Sequence, residues 1–284
     1  MKIAVVGVGR MGRWLAAFAR KNLGEVVVAD IAPARARKVA RELGVEWKTP
    51  SKAAATADIV FIAVPIAETP EVLSELGKVV KKGTLLADIS SVKKEVCKRM
   101  RELDGPELVS IHPLFGPGAR TLAGKDIVVV PVKPGKNYFW LRKKLRSLGA
   151  RVVEMDAEAH DRAMSVVQCL THFILLTHLK ALLSMEGELK EGLKTPFSHS
   201  LTELSKAMVC GGAELVGEIQ IENEYADVVR KEVLKICRRL EEELGKGRLE
   251  EVRKIFRRAE RRFEKGSVEK AYERLYEVFE EVSG

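Results

Sequence analysis

Glutamine occurs only twice in the 284 residues, at Gln168 and Gln220, and cysteine only four times. The four thiols, Cys97, Cys169, Cys210 and Cys237, form no close pair. That excludes a disulfide framework and a Cys-x-x-Cys metal knuckle, and no metal site is expected. No apolar run approaches the ~20 residues that cross a bilayer, and Met1-Lys2-Ile3-Ala4-Val5-Val6 enters a strand pattern without leader-like segments before it. A cytoplasmic protein with no membrane partner is the expectation. Lysine, arginine and glutamate are plentiful instead, with a formal charge of +9. The basic residues interleave with glutamate, as in Arg257-Arg258-Ala259-Glu260-Arg261-Arg262-Phe263-Glu264-Lys265, which is the pattern of a solvated helix face. No nucleic-acid partner is expected, whereas anionic small molecules suit such a surface.

The first half of the chain alternates strands and helices. Lys2–Val6 reads as a buried strand, followed by Gly7-Val8-Gly9-Arg10-Met11-Gly12, a helical pattern from Arg13 to Lys21, and a second strand Val26–Ala29 ending in Asp30. A GxGxxG turn between a strand and a helix, with an acid closing the next strand, is the context of a dinucleotide site. Gly7 permits the tight turn, Gly9 lets the backbone approach a pyrophosphate, and Gly12 lets the helix pack closely. Arg10 and Met11 lie at the helix N-terminus, where the pyrophosphate would rest. Asp30 would accept from ribose hydroxyls and repel a 2′-phosphate, which favours NAD over NADP. Val64 and Pro65, closing a third buried strand from Ile59, complete the expected cofactor contacts.

Further strands at 84–87, 108–111, 127–130 and 152–153 alternate with helices, and the strand signal then stops. The fold class expected is α/β: an N-terminal Rossmann doubly wound, mostly parallel sheet over residues 1–154, then an all-α dimerisation domain over 155–284. Ala157 to Met185 reads as one long apolar helix, the buried spine of the second domain. Its few charges, beside amphipathic neighbours, imply a homodimer through this domain.

Two strands end in reactive side chains: Asp88-Ile89-Ser90-Ser91-Val92-Lys93 and His112-Pro113-Leu114-Phe115-Gly116-Pro117. In an open sheet, chemistry collects beyond the carboxyl ends of strands. Oxidising a carbinol needs a base for its proton, and imidazole suits neutral pH. On spacing alone, His112 is either that base or a packed core histidine. Ser91 could orient its ring. His172, with Gln168 one turn earlier on the same helix, is either a core residue or part of a polar spot facing a ligand.

These motifs, with His160-Asp161 and Leu170-Thr171-His172-Phe173, resemble the prephenate dehydrogenases of tyrosine biosynthesis over essentially the whole chain. The resemblance implies NAD-dependent oxidative decarboxylation of prephenate to 4-hydroxyphenylpyruvate. It makes His112 the acceptor for the ring hydroxyl and Ser91 its orienter. Lys93 would steady the site and the anionic substrate, and His172 would contact substrate from the helical domain. His160-Asp161 would shape the start of the long helix. The family's carboxylate-binding arginine has no counterpart, because no arginine lies between Arg162 and Arg230. Lys206 is the stand-in expected, with Arg230 or Lys194 as alternatives, and arogenate stays open as substrate.

Two rival readings fit less well. Hydroxyacid and phosphogluconate-type dehydrogenases use a lysine on the long second-domain helix, and none occurs from Ala157 to Leu179. A nucleotide-sensing or DNA-binding protein would need a basic recognition element free of the acidic residues that accompany every basic run here.

Overall fold

The computed structural model describes residues 1–188 and 193–281. Contacts divide the chain into two compact units, Met1–Ala163 and Met164–Gly284. By contacts, the first turns of the long helix group with the sheet unit.

In the first unit the order is β1 (Lys2–Val6), α1 (Arg10–Asn22), β2 (Glu25–Ala29), α2 (Pro33–Leu43), β3 (Glu46–Trp47), α3 (Pro50–Ala54), β4 (Ile59–Ile62), α4 (Thr69–Gly77), β5 (Leu85–Asp88), α5 (Lys94–Arg101), β6 (Glu107–Pro113), β7 (Asp126–Lys133), α6 (Lys136–Ser147), β8 (Arg151–Glu154) and α7 (Ala157–Met164). The eight strands form one sheet in the order β3-β2-β1-β4-β5-β6-β7-β8. From β3 through β6 every pairing is parallel, so their carboxyl ends share one edge. The strand order reverses between β1 and β4, the crevice where such sheets bind ligands. β7 returns antiparallel to β6 and β8 runs parallel to β7.

Both faces of the sheet are buried, which explains why its strands are continuous apolar runs rather than alternating ones. Ile3, Val5, Val28, Ile59 and Phe61 pack on one side with Leu15, Val39 and Leu141. Ala4, Val6, Val27, Val60 and Ile62 pack on the other with Ala53, Leu73 and Val96. β3 and α3 escape the sequence pattern because each is only a few residues long.

The second unit is all helical. The long helix carries a π-helical turn at Ser165–Leu170 before α8 (Thr171–Ser184). Then follow α9 (Pro196–Gly211), α10 (Ala213–Glu222), α11 (Ala226–Gly245), α12 (Glu250–Arg262) and α13 (Ser267–Glu281). A π turn disrupts the i→i−4 ladder, and here side chains engage its carbonyls: Gln220 Nε2 donates to the carbonyl of Cys169 at 2.8 Å and Thr171 Oγ1 to that of Val167 at 3.0 Å.

The expected buried spine is corrected by the structure. Ala157–Ser184 is long and apolar enough to cross a membrane by length and composition, yet only 6% of its most apolar window is buried. Val166, Val167, Ile174, Leu176 and Leu183 are exposed. The helix cannot lie in hydrocarbon along its whole length, since His160 and Asp161 near its start are hydrogen-bonded inside the sheet unit. Its apolar face is a surface, not a core.

Candidate active site

The glycine turn is built around two contacts that only hydrogen permits. Gly7 has φ +87°, and a Cβ there would lie 2.4 Å from the carbonyl oxygen of Ala63. At Gly12 an added Cβ would lie 1.9 Å from the carbonyl oxygen of Gly7. Gly9, by contrast, faces open space, with nothing within 4 Å of where a methyl would stand. It caps α1 with no side-chain hydrogen bond, and the first turn holds no acidic residue. An uncapped helix start behind an open glycine is a cradle for phosphate. Val64 packs beside Gly7, its Cγ1 3.0 Å from where a Cβ would stand. The residues present therefore fit a dinucleotide.

Asp30 closes β2 with its carboxylate already engaged. Oδ2 accepts from the backbone N–H of Val8 at 3.0 Å and Oδ1 from that of Ala32 at 2.9 Å. Arg35 Nη1 lies 3.4 Å from both oxygens. Asp30 thus braces the glycine turn, a role the sequence did not suggest, and Arg35 reaches it by the first helical turn of α2, across the residues that separate them in sequence.

Along the same sheet edge, β5 and β6 deliver the second group. His112, on β6, is only 4% exposed. Its Nδ1 lies 2.8 Å from His160 Nε2, and His160 Nδ1 lies 2.7 Å from Asp161 Oδ1. No hydrogen bond joins Ser91, the expected orienter of this ring, to His112 among the described residues; the ring is bonded to His160 instead. Burial, then the nearby Lys93 ammonium and the His160 ring, hold the His112 pKa well below the ordinary imidazole value. His160 is lowered as well, chiefly by burial, against the raising effect of its bond to Asp161. Both rings are neutral in the folded state near pH 7. One nitrogen of the His112 ring, Nδ1, is thus engaged inside the fold.

Lys93 turns inward. Its side chain is fully buried, and Nζ donates to the carbonyls of Ser90 at 2.7 Å and Ile111 at 2.9 Å, with Asp88 Oδ2 at 3.4 Å. All three acceptors lie inside the fold, so Lys93 staples the ends of β5 and β6 beside His112. The loop after His112 is fixed from α1: Trp14 Nε1 donates to the carbonyl of Ala119 at 2.7 Å, and its ring meets Phe115 edge-on at 5.2 Å.

In the second unit, Gln168 Oε1 and His172 Nδ1 are buried atoms without a hydrogen-bond partner. Burial lowers the His172 pKa. Lys206 is exposed and paired with Glu203 Oε1 at 2.7 Å. Arg230 donates to the carbonyl of Gln220 at 2.6 Å, and Lys194 Nζ lies 5.3 Å from the Phe279 ring centre. Each cation offered as a stand-in for the missing arginine therefore has a partner within its own unit. No cluster able to hold a metal occurs among the described residues.

His160 and Asp161, read from the sequence as shaping the start of the long helix, also stand directly behind His112. The available signal was an adjacent ionisable pair at the start of an otherwise apolar helix, since such residues are rarely buried unless paired.

A glycine cradle at the switch point and a buried imidazole on the same sheet edge fit the plan of a nucleotide-dependent dehydrogenase. Comparison with known proteins gives the family. The model of the prephenate dehydrogenase nucleotide-binding domain matches residues 15–153, and that of the prephenate dehydrogenase dimerization domain matches residues 156–258. The chain belongs to the prephenate dehydrogenase family of NAD-dependent oxidoreductases. It is 30% identical over 251 residues to the "Probable arogenate/prephenate dehydrogenase" of Methanocaldococcus jannaschii, covering 85% of this chain and 56% of that protein. It is also 30% identical over 254 residues to the 4-amino-4-deoxyprephenate dehydrogenase of Streptomyces pristinaespiralis, covering 86% of this chain and 85% of that one. The T-protein of Haemophilus influenzae matches at 30% over 61% of this chain. The chain spans 56% and 42% of the lengths of the Methanocaldococcus and Haemophilus proteins. Among solved structures, Aquifex aeolicus prephenate dehydrogenase in complex with hydroxyphenyl propionate and NAD+ shares the fold, with a TM-score of 0.75 at 21% identity over 92% of this chain and 96% of that one.

Proposed function

We propose that this chain catalyses the NAD-dependent oxidative decarboxylation of prephenate to 4-hydroxyphenylpyruvate, a step of tyrosine biosynthesis in the cytoplasm. The observation that carries the reading is His112: a neutral, buried imidazole at the carboxyl end of β6, on the edge that also bears the glycine cradle. Bound NAD supplies the nicotinamide carbon that accepts the hydrogen leaving ring C4 with both its electrons. His112 Nε2 accepts the proton of the C4 hydroxyl as that hydrogen departs. The bond between C1 and its carboxylate breaks, its electrons enter the ring, and carbon dioxide leaves. The oxygen recovers its proton from His112, so the product is a phenol and no net proton is consumed.

Gly7, Gly9, Arg10, Met11 and Gly12 hold the pyrophosphate, with Val64 and Pro65 beside them and Asp30 reading the ribose. Gln168 and His172 contact substrate: their unpartnered buried atoms are costly unless a ligand completes them. The exposed apolar face of the long helix, in a segment matching a dimerization domain, supports a homodimer. Incubation of the protein with prephenate or arogenate, each with NAD or NADP, tests the reading through the absorbance of the reduced nicotinamide. Turnover of prephenate with NAD is expected. Turnover of neither acid would remove it.

Arogenate is the second reading, favoured by the missing arginine. An amino acid side chain in place of the keto acid brings a cation of its own to the carboxylate, so a site without that guanidinium suits it better. The same assay separates the two.

A further inference from the structure

The line His112–His160–Asp161 admits one consistent set of protons. Asp161 accepts from the backbone N–H of Lys93, at 2.9 Å on Oδ1 and 3.2 Å on Oδ2, and from that of Lys94 at 2.9 Å. Its carboxylate is thus an acceptor, and the proton in the 2.7 Å contact with His160 sits on Nδ1. A neutral imidazole protonated at Nδ1 carries a lone pair at Nε2. His160 Nε2 therefore accepts, and His112 Nδ1, 2.8 Å away, donates. The lone pair of His112 is left on Nε2.

Successive residues on a helix point about 100° apart, which lets His160 face β6 while Asp161 faces the start of α5. Both are essentially fully buried. Burying an ionisable pair gains little stability over apolar residues of the same size, so packing alone gives no reason for this pair. A proton assignment does.

We propose that His160 and Asp161 are positioning residues that lock His112 in its Nδ1–H tautomer and stabilise the imidazolium formed when Nε2 receives the substrate's hydroxyl proton. This rests on the reading of His112 as proton acceptor. The step balances within the site. An N–H bond forms at Nε2 as the O–H bond breaks, the positive charge is shared through Nδ1–H toward His160 and its carboxylate, and the proton returns to the same oxygen.

Asp161→Asn is the sharp test. The carboxamide donates to His160 Nδ1, His160 then donates from Nε2, and His112 is forced to carry its proton on Nε2. Nitrogen-15 NMR of the ligand-free protein is expected to show His112 protonated at Nδ1 in the wild type and at Nε2 in the variant. Turnover is expected to fall by about 10⁴, the effect of an equivalent tautomer reversal in a serine protease, with the NAD dissociation constant unchanged. Because Asp161 also caps α5, a second pair of variants guards against misfolding. His160→Gln can still accept from Nδ1–H and donate to Asp161, whereas His160→Leu can do neither. The Gln variant should turn over roughly tenfold or more faster than the Leu variant, the worth of one hydrogen bond to a charged group. A wild-type His112 protonated at Nε2, or Gln and Leu variants of equal activity, would overturn the proposal. A wild type that oxidises neither acid would sink the dehydrogenase reading while leaving the tautomer measurement to stand or fall separately.

Discussion

The backbone N–H of Lys93 donates to Asp161 Oδ1 at 2.9 Å, across 68 residues of chain. One carboxylate thereby serves two elements: it completes the N-terminus of α5, where the N-cap residue, Lys93, makes no side-chain cap hydrogen bond, and it anchors His160 behind His112. Anions are favoured at helix starts, so the helix gains from the same charge that orders the imidazoles. Lys93 fastens the other side of His112 by donating to the carbonyl of Ile111, its neighbour on β6.

From that burial follows a prediction for Lys93→Met. Losing one partner of a buried ion pair typically costs about 3–5 kcal/mol, because the remaining charge is stranded. Asp88 would be the stranded group, fully buried with Oδ1 already unpartnered. Denaturant unfolding should show a loss of this order, and adding Asp88→Leu should recover most of it. A Lys93→Met protein of unaltered stability but raised substrate KM would instead return Lys93 to a substrate-binding role.

The glycine turn separates folding from binding. Gly12→Ala places a methyl 1.9 Å from the Gly7 carbonyl oxygen, so α1 must move away from β1. Gly9→Ala meets nothing within 4 Å. The first should lower stability and abolish NAD binding together. The second should leave the melting temperature within about 2 °C, the scale of a neutral surface change, while weakening NAD by obstructing the phosphate. Titration calorimetry and thermal unfolding on both variants check this, and equal NAD affinity for Gly9→Ala and wild type would place the phosphate elsewhere.

Much of the fold is legible in the residues alone. The continuous apolar runs of β1, β2, β4, β5 and β6 announce a sheet buried on both faces, and the spacing of Gly7, Gly9 and Gly12 announces the turn between strand and helix. Ser91 and Lys93 stand out at their strand end, but side-chain direction is not in the sequence. The long reach of a lysine turns inward as readily as outward, and here three oxygens inside draw it in. His160 touches His112 across 48 residues, a pairing no local pattern encodes. The long helix misleads for another reason: an apolar stripe looks the same whether its own chain or another copy covers it.

Acid should reveal the imidazoles. Folded His112 and His160 both resist protonation, chiefly through burial, with Lys93 opposing protonation of each and Asp161 and Asp88 favouring that of His160. The unfolded rings titrate near 6.5. Below that value the unfolded chain binds protons that the folded chain does not, so stability falls as pH falls and is flat above it. Each such histidine contributes at most about 1.4 kcal/mol per pH unit. His112→Asn should shallow the acid slope of unfolding free energy, and the acid limb of kcat/KM should lie below 6.5. A limb at or above 6.5 would mean that the base is a more exposed histidine.

His112→Asn also isolates the chemistry. The Asn carboxamide can donate to His160 Nε2 as the ring Nδ1–H does, so the buried line keeps its inner hydrogen bond, but the Asn has no lone pair basic enough to hold a hydroxyl proton. The glycine cradle and Asp30 lie at the ends of β1, α1 and β2, whereas the substitution is on β6. Dissociation constants for NAD should therefore match the wild type, while turnover falls by roughly 10²–10⁴, the range of a general base. Steady-state kinetics with the preferred acid, set beside an NAD titration of the same preparation, give both numbers. Unchanged turnover would mean that the hydroxyl proton goes elsewhere, and with it the reason for an imidazole at the end of β6.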